Sequence, residues 1–312
     1  MILVTGATGF IGSHILSVLG NSAVVLSRKP VPNYSGKYIT SDLTRPDFSE
    51  DFFEGIEVVI HCAARVHVMS DKSADPLSDF RIVNTIATIE LAKAAAKSGV
   101  KRFIFISSIK VNGELTKINY PFKATDIRNP SDYYGVSKSE AEIQLMELGN
   151  KTSMEIVIIR PSLVYGPGVK GNFHSLMELV YKGLPLPLGC VVNNRRSLVS
   201  IVNLVDLIVT CIDHPKASNQ VFLVSDDNDI STSSMVKKIA DAMTKKSWQL
   251  PIPVWCYKIF GKLFNRLDIV NRLVGSLQVD ISHTKDTLDW VPPQTLEDGF
   301  KETAEAFLLN KK

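Results

Sequence analysis

The chain has 312 residues, of which 45% are hydrophobic and 21% are charged. This composition favours one large or two modest domains with a sizeable core, and a net charge of +3 is too small to predict nucleic-acid binding. No apolar run approaches the length of a membrane span and no secretory signal precedes the first predicted strand, so we expect a cytoplasmic protein without stable membrane insertion.

The chain opens with the pattern of a dinucleotide-binding turn. Ile2-Leu3-Val4 predicts a short buried strand, and a turn with glycines at 6, 9 and 12 joins it to a helix pattern. In such a turn Gly6 allows the tight bend, Gly9 lets the backbone approach a pyrophosphate, and Gly12 lets the helix pack on the strand. A simple tight turn is the alternative interpretation. Because N–H groups at a helix start bind phosphates, we expect the cofactor to contact Gly6, Thr8, Gly9, Phe10, Ile11 and Gly12.

The residues after the next two predicted strands indicate which nucleotide is bound. After strand 23–26 the chain has Ser27-Arg28-Lys29, without the carboxylate that would bind the 2′-hydroxyl of NAD. Arg28 could pair with a 2′-phosphate, which favours NADP or the use of both nucleotides, although two solvated charges would give the same pattern. Asp42 follows strand 38–40, where a carboxylate could reach the adenine amino group.

Strands and helices then alternate as in an α/β protein. Apolar runs predict strands at 57–61, 102–106 and 155–159, with helices at 79–98 and 134–146 between them. Continuous β-branched runs between amphipathic helices are typical of a parallel sheet covered on both faces, here a doubly wound Rossmann sheet. Ligands bind at the carboxyl ends of such strands. Three short motifs follow the strands directly, namely His61-Cys62-Ala63-Ala64, Ser107-Ser108 and Arg160-Pro161-Ser162.

A tyrosine and a lysine four residues apart are the strongest catalytic candidates. Tyr134 and Lys138 share one face of the predicted helix, about one turn apart. An ammonium group near a phenol stabilises the phenolate, so we expect Lys138 to lower the pKa of Tyr134 from about 10 towards neutrality. The tyrosine could then exchange a proton with a substrate hydroxyl or ketone. Tyr133 lacks this arrangement, because Ser137 lies four residues after it.

From about residue 166 the pattern indicates a smaller second domain. Loop-rich glycine and proline segments replace the strand alternation, and the later part of the chain is mostly helical. We assign residues 1–165 and 196–230 to a nucleotide-binding Rossmann domain, 166–195 and 231–292 to a mostly helical substrate domain, and 293–312 to a C-terminal helix that packs back.

The cysteines and histidines predict no metal site. The four cysteines, at positions 62, 190, 211 and 256, lack the spacing of metal ligands, and several lie in apolar runs, so we expect reduced thiols in the core. His61 and His67 lie near Cys62 without forming a recognisable ligand set.

Together these motifs resemble the extended short-chain dehydrogenase/reductase family, and within it the nucleotide-sugar epimerases and dehydratases. The resemblance spans essentially the whole chain. It is carried by Thr5 to Gly12, Asp42-Leu43, His61 to Ala64, Asn84, Ser107-Ser108, Tyr134 to Lys138, Arg160-Pro161 and Trp290 to Pro292.

The resemblance implies a role for each site residue. Tyr134 would be the acid/base at the C4 oxygen of a UDP-sugar, Lys138 would hold the nicotinamide ribose, and Ser108 would hydrogen-bond the same sugar oxygen. Further cofactor residues would be Arg28, Asp42, Leu43, Ala63, Ala64, Asn84, Ser107 and Pro161, with Ser107 also the alternative to Ser108. The substrate would contact Asn172, Arg196, Arg272 and Leu277, the arginines facing its diphosphate. A homodimer formed through a helical face is also expected.

Two reactions fit the resemblance, and the sequence favours the first. A UDP-4-keto-hexosamine reductase would use NADPH, which agrees with Arg28, and the family's aromatic residue is replaced in Val111-Asn112-Gly113. The alternative is a UDP-glucose or UDP-N-acetylglucosamine 4-epimerase with tightly bound NAD. A dehydratase is disfavoured, because Ile109-Lys110 offers no carboxylate after the serine pair.

Two other interpretations concern different classes of protein. A non-catalytic nucleotide sensor of this fold typically lacks the tyrosine or the lysine, and both are present. A lipid-linked sugar substrate is suggested by aromatic residues that interleave with basic ones between Trp255 and Arg266, although such a stripe is more often the core face of a lid.

Overall fold

The structure is a computed structural model that describes residues 1–32, 34–45, 48, 50–66 and 75–311, with the backbone alone at 50, 51 and 268. At its centre is a seven-stranded parallel sheet of order β3-β2-β1-β4-β5-β6-β9, and β7 and β8 form a separate two-stranded parallel sheet. The strands are β1 Ile2–Thr5, β2 Ala23–Ser27, β3 Lys37–Thr40, β4 Val58–His61, β5 Arg102–Ile106, β6 Glu155–Pro161, β7 Leu163–Tyr165, β8 Leu198–Ser200 and β9 Gln220–Val224.

Helices cover both faces of the sheet, which confirms the predicted doubly wound α/β fold. They are α1 Phe10–Leu19, α2 Pro76–Arg81, α3 Ala87–Lys97, α4 Tyr133–Lys151, α5 Gly171–Tyr181, α6 Ile201–Asp213, α7 Thr232–Ala242, α8 Val254–Leu263, α9 Leu267–Val274, α10 Ser282–Leu288 and α11 Leu296–Leu309. The helix predicted over 79–98 is divided, because a π-helical turn, Ile82–Ile86, separates α2 from α3.

The apolar runs in the strands of the central sheet are continuous because both faces of the sheet are buried. Neighbouring residues along a strand point to opposite faces, so Ile104 packs in a core with α1 and α6, whereas Phe103 and Phe105 pack in a core with α3 and α4. Both cores are closed to solvent, which is why these strands lack the alternation of an exposed sheet.

A further hydrophobic core lies outside the seven-stranded sheet. Side chains from α5, α7 and α11 meet there around Tyr165, and α11 packs on α7. Residues 277–290, assigned above to the substrate domain, pack instead with the nucleotide-binding sheet. Trp290 is buried in that core and its indole N–H donates to Asp206 on α6 at 2.7 Å.

The carboxyl ends of the central strands meet at one edge of the sheet. Thr5 is in register with His61, and His61 with Phe105. The segments that leave β1, β4 and β5 therefore lie side by side, as expected for a ligand-binding edge. Within the described ranges, no helix is both long and apolar enough to cross a membrane.

Candidate active site

The glycine turn between β1 and α1 brings two chain segments into contact. Gly6 has a positive φ of 69°, and a side chain there would place its Cβ 2.6 Å from the backbone nitrogen of Ala63. A Cβ on Gly12 would lie 2.3 Å from the carbonyl oxygen of Gly6. Gly9 has an ordinary φ of −82° and is less constrained. Close packing therefore requires glycine at positions 6 and 12. The turn that contains them leads directly into the first turn of α1.

A pocket of about 400 Å³ opens beside this turn. The segments after β1, β2, β3 and β4 line it, as the fold predicts for a dinucleotide. It includes eight residues of the expected cofactor set, namely Gly6, Thr8, Gly9, Arg28, Asp42, Leu43, Ala63 and Ala64. Phe10, Ile11, Gly12, Asn84, Ser107, Tyr134, Lys138 and Pro161 lie outside its lining. The turn and the pocket fit a nicotinamide dinucleotide, whose adenosine half this pocket would hold.

Asp42 and Arg28 both line the pocket and lie close enough for their charges to interact. The Asp42 carboxylate accepts hydrogen bonds from the backbone N–H and hydroxyl of Thr44, at 2.9 and 2.8 Å. These bonds, and then the charge of Arg28, lower the pKa of Asp42 below its ordinary value. The pocket lining therefore includes the Asp42 carboxylate, the exposed Arg28 and the half-buried Arg65.

Asn84 and Ser107 use their polar atoms within the protein. The Asn84 amide donates to the Arg65 carbonyl and the Ser137 hydroxyl, both at 3.0 Å, and its oxygen accepts from the Arg65 N–H at 2.8 Å. The Ser107 hydroxyl donates to Glu142 at 2.6 Å. Both side chains are buried. They position the loop after β4 and the end of β5, rather than lining the pocket.

Tyr134 and Lys138 lie on the first two turns of α4. Asp132 caps this helix by accepting the Gly135 N–H at 2.7 Å. The Tyr134 ring packs edge-on against Phe80, with centroids 6.3 Å apart, whereas 52% of Tyr133 is exposed.

Lys138 is buried beneath the helix. Its ammonium donates to the Ile106 carbonyl at 2.8 Å and lies 4.2 Å from the Phe105 ring centroid. This contact brings the lysine to the end of β5.

The electrostatics of this pair differ from the expectation. Burial, followed by the charge of Asp132, raises the pKa of Tyr134 above its ordinary value, and burial lowers the pKa of Lys138 to about 7. Lys138 therefore does not lower the pKa of Tyr134 in the protein alone. The reason is that the tyrosine is desolvated beside a carboxylate, while the lysine is itself too buried to hold its charge fully.

The loop that carries Ser108 is connected to the start of α4 through an ion pair between Lys110 and Asp132. The Ser108 hydroxyl oxygen accepts the backbone N–H of Lys110 at 3.2 Å, and the Lys110 ammonium pairs with Asp132. Ser108 retains its hydroxyl proton for a ligand, since this bond uses only a lone pair. The loop of Ser108 and the helix turn of Tyr134 are thereby held together.

A buried ion-pair network behind the site was not predicted. Arg160 on β6 donates to both carboxylate oxygens of Glu142 on α4, at 2.9 and 2.5 Å, and both side chains are fully buried. The third nitrogen of the Arg160 guanidinium, Nη1, donates to the side-chain oxygen of Asn112 at 2.9 Å. Asn112, interpreted above as the loss of an aromatic near the sugar, is therefore a buried structural residue. An arginine inside an apolar strand was the available signal, because such a charge requires a partner.

The expected substrate residues fall into two groups. Arg196 donates to the carbonyl oxygens of Arg272 and Gly275, at 2.9 and 3.4 Å, and Arg272 pairs with Glu114 at 3.4 Å. These arginines therefore lie together beside the loop that follows Ser108. Asn172, in the first turn of α5, is exposed.

Leu277 does not fit its expected role. It pairs with Arg196 through the backbone, and its side chain is buried in the core of the nucleotide-binding sheet. The Leu277 side chain is therefore not exposed to a bound substrate.

His61 is a structural residue rather than a metal ligand. Its ring nitrogens lie 2.8 Å from the Thr5 hydroxyl and 2.9 Å from the Thr88 hydroxyl, and burial lowers its pKa to about 3. Burial also raises the pKa of the Cys62 thiol to about 12. Across the described parts of the chain, no group of three potential ligands could hold a metal ion. His67 lies outside the described residues.

Comparisons with known proteins agree with this geometry. The model of the NAD dependent epimerase/dehydratase family matches residues 2–225. A UDP-glucose 4-epimerase of Vibrio cholerae is 59% identical over 312 residues, covering 98% of this chain and 95% of that protein. An N-acetyl-alpha-D-glucosaminyl-diphospho-ditrans,octacis-undecaprenol 4-epimerase of Escherichia coli O157:H7 is 26% identical over 330 residues, covering 100% and 96%.

Solved structures share the fold across the whole chain. MoeE5, in complex with UDP-glucose and NAD, has a TM-score of 0.79 at 22% identity, and 100% of this chain and 99% of that one are covered. The UDP-glucose 4-epimerase of Thermotoga maritima, with UDP-glucose, has a TM-score of 0.80 at 24% identity and the same coverage.

Substitutions in the glycine turn should separate packing from cofactor binding. Gly12→Ala is expected to lower the free energy of unfolding by about 1–3 kcal/mol, because its Cβ would overlap the Gly6 carbonyl. Gly9→Ala, the matched control, should cost less than about 1 kcal/mol while still weakening nucleotide binding. Urea denaturation of cofactor-free protein measures the difference. Equal destabilisation by the two would contradict this assignment.

The buried Lys138 should make stability depend on pH. Its pKa is lowered from 10.5 to about 7, so over this interval the unfolded chain binds more protons than the folded protein. The stability of the wild type relative to Lys138→Met should therefore rise with pH, by up to about 1.4 kcal/mol per unit, and be flat below pH 7. Denaturation across this interval tests it. A difference independent of pH would show that the ammonium keeps its charge.

Proposed function

Because this chain belongs to the NAD-dependent epimerase/dehydratase family, we propose that it is a UDP-sugar 4-epimerase that works with tightly bound NAD. The observation that carries this proposal is the 59% identity to a UDP-glucose 4-epimerase over nearly the whole of both chains. The sequence alone favours a 4-keto reductase, and the comparison favours the alternative. Both reactions share the chemistry at C4, so the same site residues serve either one.

The choice of NAD follows from the reaction and the family. An epimerase returns hydride to the molecule that lost it, and this requires a cofactor that stays bound. Arg28, the residue that suggested NADP, lies near Asp42, a carboxylate that would repel a 2′-phosphate close to it. The chemistry that NAD supplies when bound is reversible hydride transfer at the sugar C4.

Tyr134 and Ser108 would manage the proton at the C4 oxygen. Tyr134 would accept the hydroxyl proton as hydride leaves C4 and would return it afterwards, and the Ser108 hydroxyl would donate a hydrogen bond to the same oxygen. Since the raised pKa of Tyr134 favours the neutral phenol, the base form needs additional positive charge. Lys138, one turn along the helix, would hold the nicotinamide ribose, and it would contribute this charge only when cofactor binding keeps its amine protonated.

The clustered arginines would hold the substrate diphosphate. Arg272 is partly exposed, and its 3.4 Å pair with Glu114 can be exchanged for a stronger bidentate contact with phosphate. Arg196 supports it from behind through the Arg272 carbonyl. Asn172, at the start of α5, would contact the nucleotide. A homodimer stays a prediction.

A second candidate substrate class is a sugar carried on a polyprenol diphosphate. The relative from Escherichia coli O157:H7 is named for such a substrate. The observation in its favour is an exposed aromatic and basic surface on α8 and α9, next to Arg272. Assays of C4 epimerisation with UDP-N-acetylglucosamine and with its undecaprenyl diphosphate counterpart would rank the two substrates.

Removing one hydroxyl group should stop the reaction. Tyr134→Phe is expected to lower kcat by about a hundred- to ten-thousand-fold, because the proton path is lost. The amount of bound NAD should be unchanged. Tyr133→Phe, at the exposed neighbouring position, should retain full activity. Equal losses of activity and of NAD in Tyr134→Phe would point to a structural role.

The bound nucleotide distinguishes an epimerase from a reductase. Denatured protein should release close to one NAD per chain, and the native protein should convert UDP-glucose to UDP-galactose without added cofactor. Protein that is empty of nucleotide and oxidises NADPH in the presence of a 4-keto UDP-sugar would be a reductase instead.

A further inference from the structure

The helices α8 and α9 form a hairpin with an unusually apolar exposed surface. We call its exposed side chains the hairpin face. They include Trp255, Ile259 and Leu263, which are 63%, 54% and 72% exposed. Phe260 and Phe264 are also exposed and stack on each other, with ring centroids 6.5 Å apart. Clusters of this kind on a soluble protein mark a surface that binds something.

The hairpin face is not the core side of these helices. The two helices pack closely at Gly261, where an added Cβ would lie 2.8 Å from a methyl group of Val270. Tyr257, on the same inner side, packs against the core of α5, α7 and α11. Trp255, Ile259 and Leu263 recur every four residues along the opposite side of α8. Of the aromatic residues in the stripe that the sequence suggested as a lid core, Trp255, Phe260 and Phe264 therefore face outwards, and Tyr257 faces the core.

Basic side chains interleave with the apolar ones. Lys258, Lys262 and Arg266 are exposed, and none makes an ion pair with an acidic side chain that the structure describes. Between residues 254 and 274 the only acidic residue is Asp268. Such a combination of aromatic, aliphatic and basic side chains matches the interface of an anionic lipid bilayer, which offers apolar chains beneath negative headgroups.

We propose that the hairpin face docks on the surface of membranes that contain anionic lipids. The aromatic and aliphatic side chains would enter the boundary between headgroups and acyl chains, and the long basic side chains would reach the phosphates. With 10 residues, α8 is about 15 Å long, half of the roughly 30 Å of a hydrocarbon core. The hairpin therefore lies in the plane of the interface, and its attachment is peripheral.

Docking would place the substrate-binding arginines at the membrane. Arg272 is on α9, and its carbonyl accepts the Arg196 guanidinium at 2.9 Å. The backbone carbonyl of Leu273 accepts the Thr232 hydroxyl at 2.7 Å. The hairpin is thus directly continuous with one wall of the proposed substrate site. This inference concerns the surface alone, and it holds whether the sugar is carried by UDP or by a lipid.

Vesicle co-sedimentation tests the proposal. Wild-type protein should pellet with phosphatidylcholine vesicles that contain phosphatidylglycerol, and much less with phosphatidylcholine alone or at high salt. A triple variant, Lys258→Glu, Lys262→Glu and Arg266→Glu, should bind at least about tenfold more weakly, since each cation contributes roughly 1 kcal/mol. The matched control changes three exposed lysines elsewhere, Lys97→Glu, Lys237→Glu and Lys301→Glu, and should bind like the wild type.

An apolar variant and an activity assay complete the test. The double variant Trp255→Ser with Leu263→Ser should also lose vesicle binding. Every variant should keep its activity on a UDP-sugar in the absence of vesicles. The proposal of membrane docking and the proposal of epimerase activity can therefore fail separately. Absence of wild-type binding, or equal loss in the control triple variant, would overturn the proposal. So would a dimer in sedimentation velocity that Trp255→Ser with Leu263→Ser disrupts, because the face would then bind a second copy of the chain.

Discussion

The buried ion pair between Arg160 and Glu142 fixes α4, the helix that carries Tyr134 and Lys138, against the central sheet. It joins the sixth strand to the middle of α4, and neither side chain reaches solvent. Leaving one such charge without its partner costs about 3–5 kcal/mol, so the strand and the helix cannot separate cheaply. Tyr134 and Lys138 project from the same helix, and their position relative to the strand ends follows from this pair. The pair also makes polar contacts with Ser107, Asn112, Arg128 and the Ala124 carbonyl.

The charges around this helix favour neutral forms in the protein alone. Burial raises the pKa of Tyr134 and lowers that of Lys138, so a phenolate beside an ammonium is disfavoured before other groups arrive. Asp132 adds a negative charge next to the tyrosine, and Lys110 partly offsets it. A phenolate at Tyr134 would therefore need further positive charge close to it, such as that of an oxidised nicotinamide ring.

The structural elements that could be predicted from the sequence are those whose pattern lies within a short stretch of the chain. Apolar runs predict the central strands, and the spacing of Gly6, Gly9 and Gly12 predicts the turn. The roles of Asn84 and Ser107 could not be predicted, because their partners lie 53 and 35 residues away. The expected lowering of the Tyr134 pKa was wrong for a related reason, since spacing along a helix carries no information about desolvation. The preference for a reductase rested on Arg28, an exposed residue that the fold constrains weakly, and on Asn112, whose buried hydrogen bond to Arg160 is a tertiary contact that the sequence does not show.

The lining of the nucleotide pocket is drawn entirely from the beginning of the chain. Its residues run from Gly6 to Val83, whereas Ser108, Tyr134 and the arginines come later. Because β1 lies between β2 and β4 in the sheet, this segment contains every strand that shapes the pocket. Ribosomal synthesis proceeds from the N-terminus at about 5–20 residues per second, so the pieces of this pocket emerge first. The residues that line the pocket are therefore synthesised seconds before Ser108, Tyr134 and the two arginines.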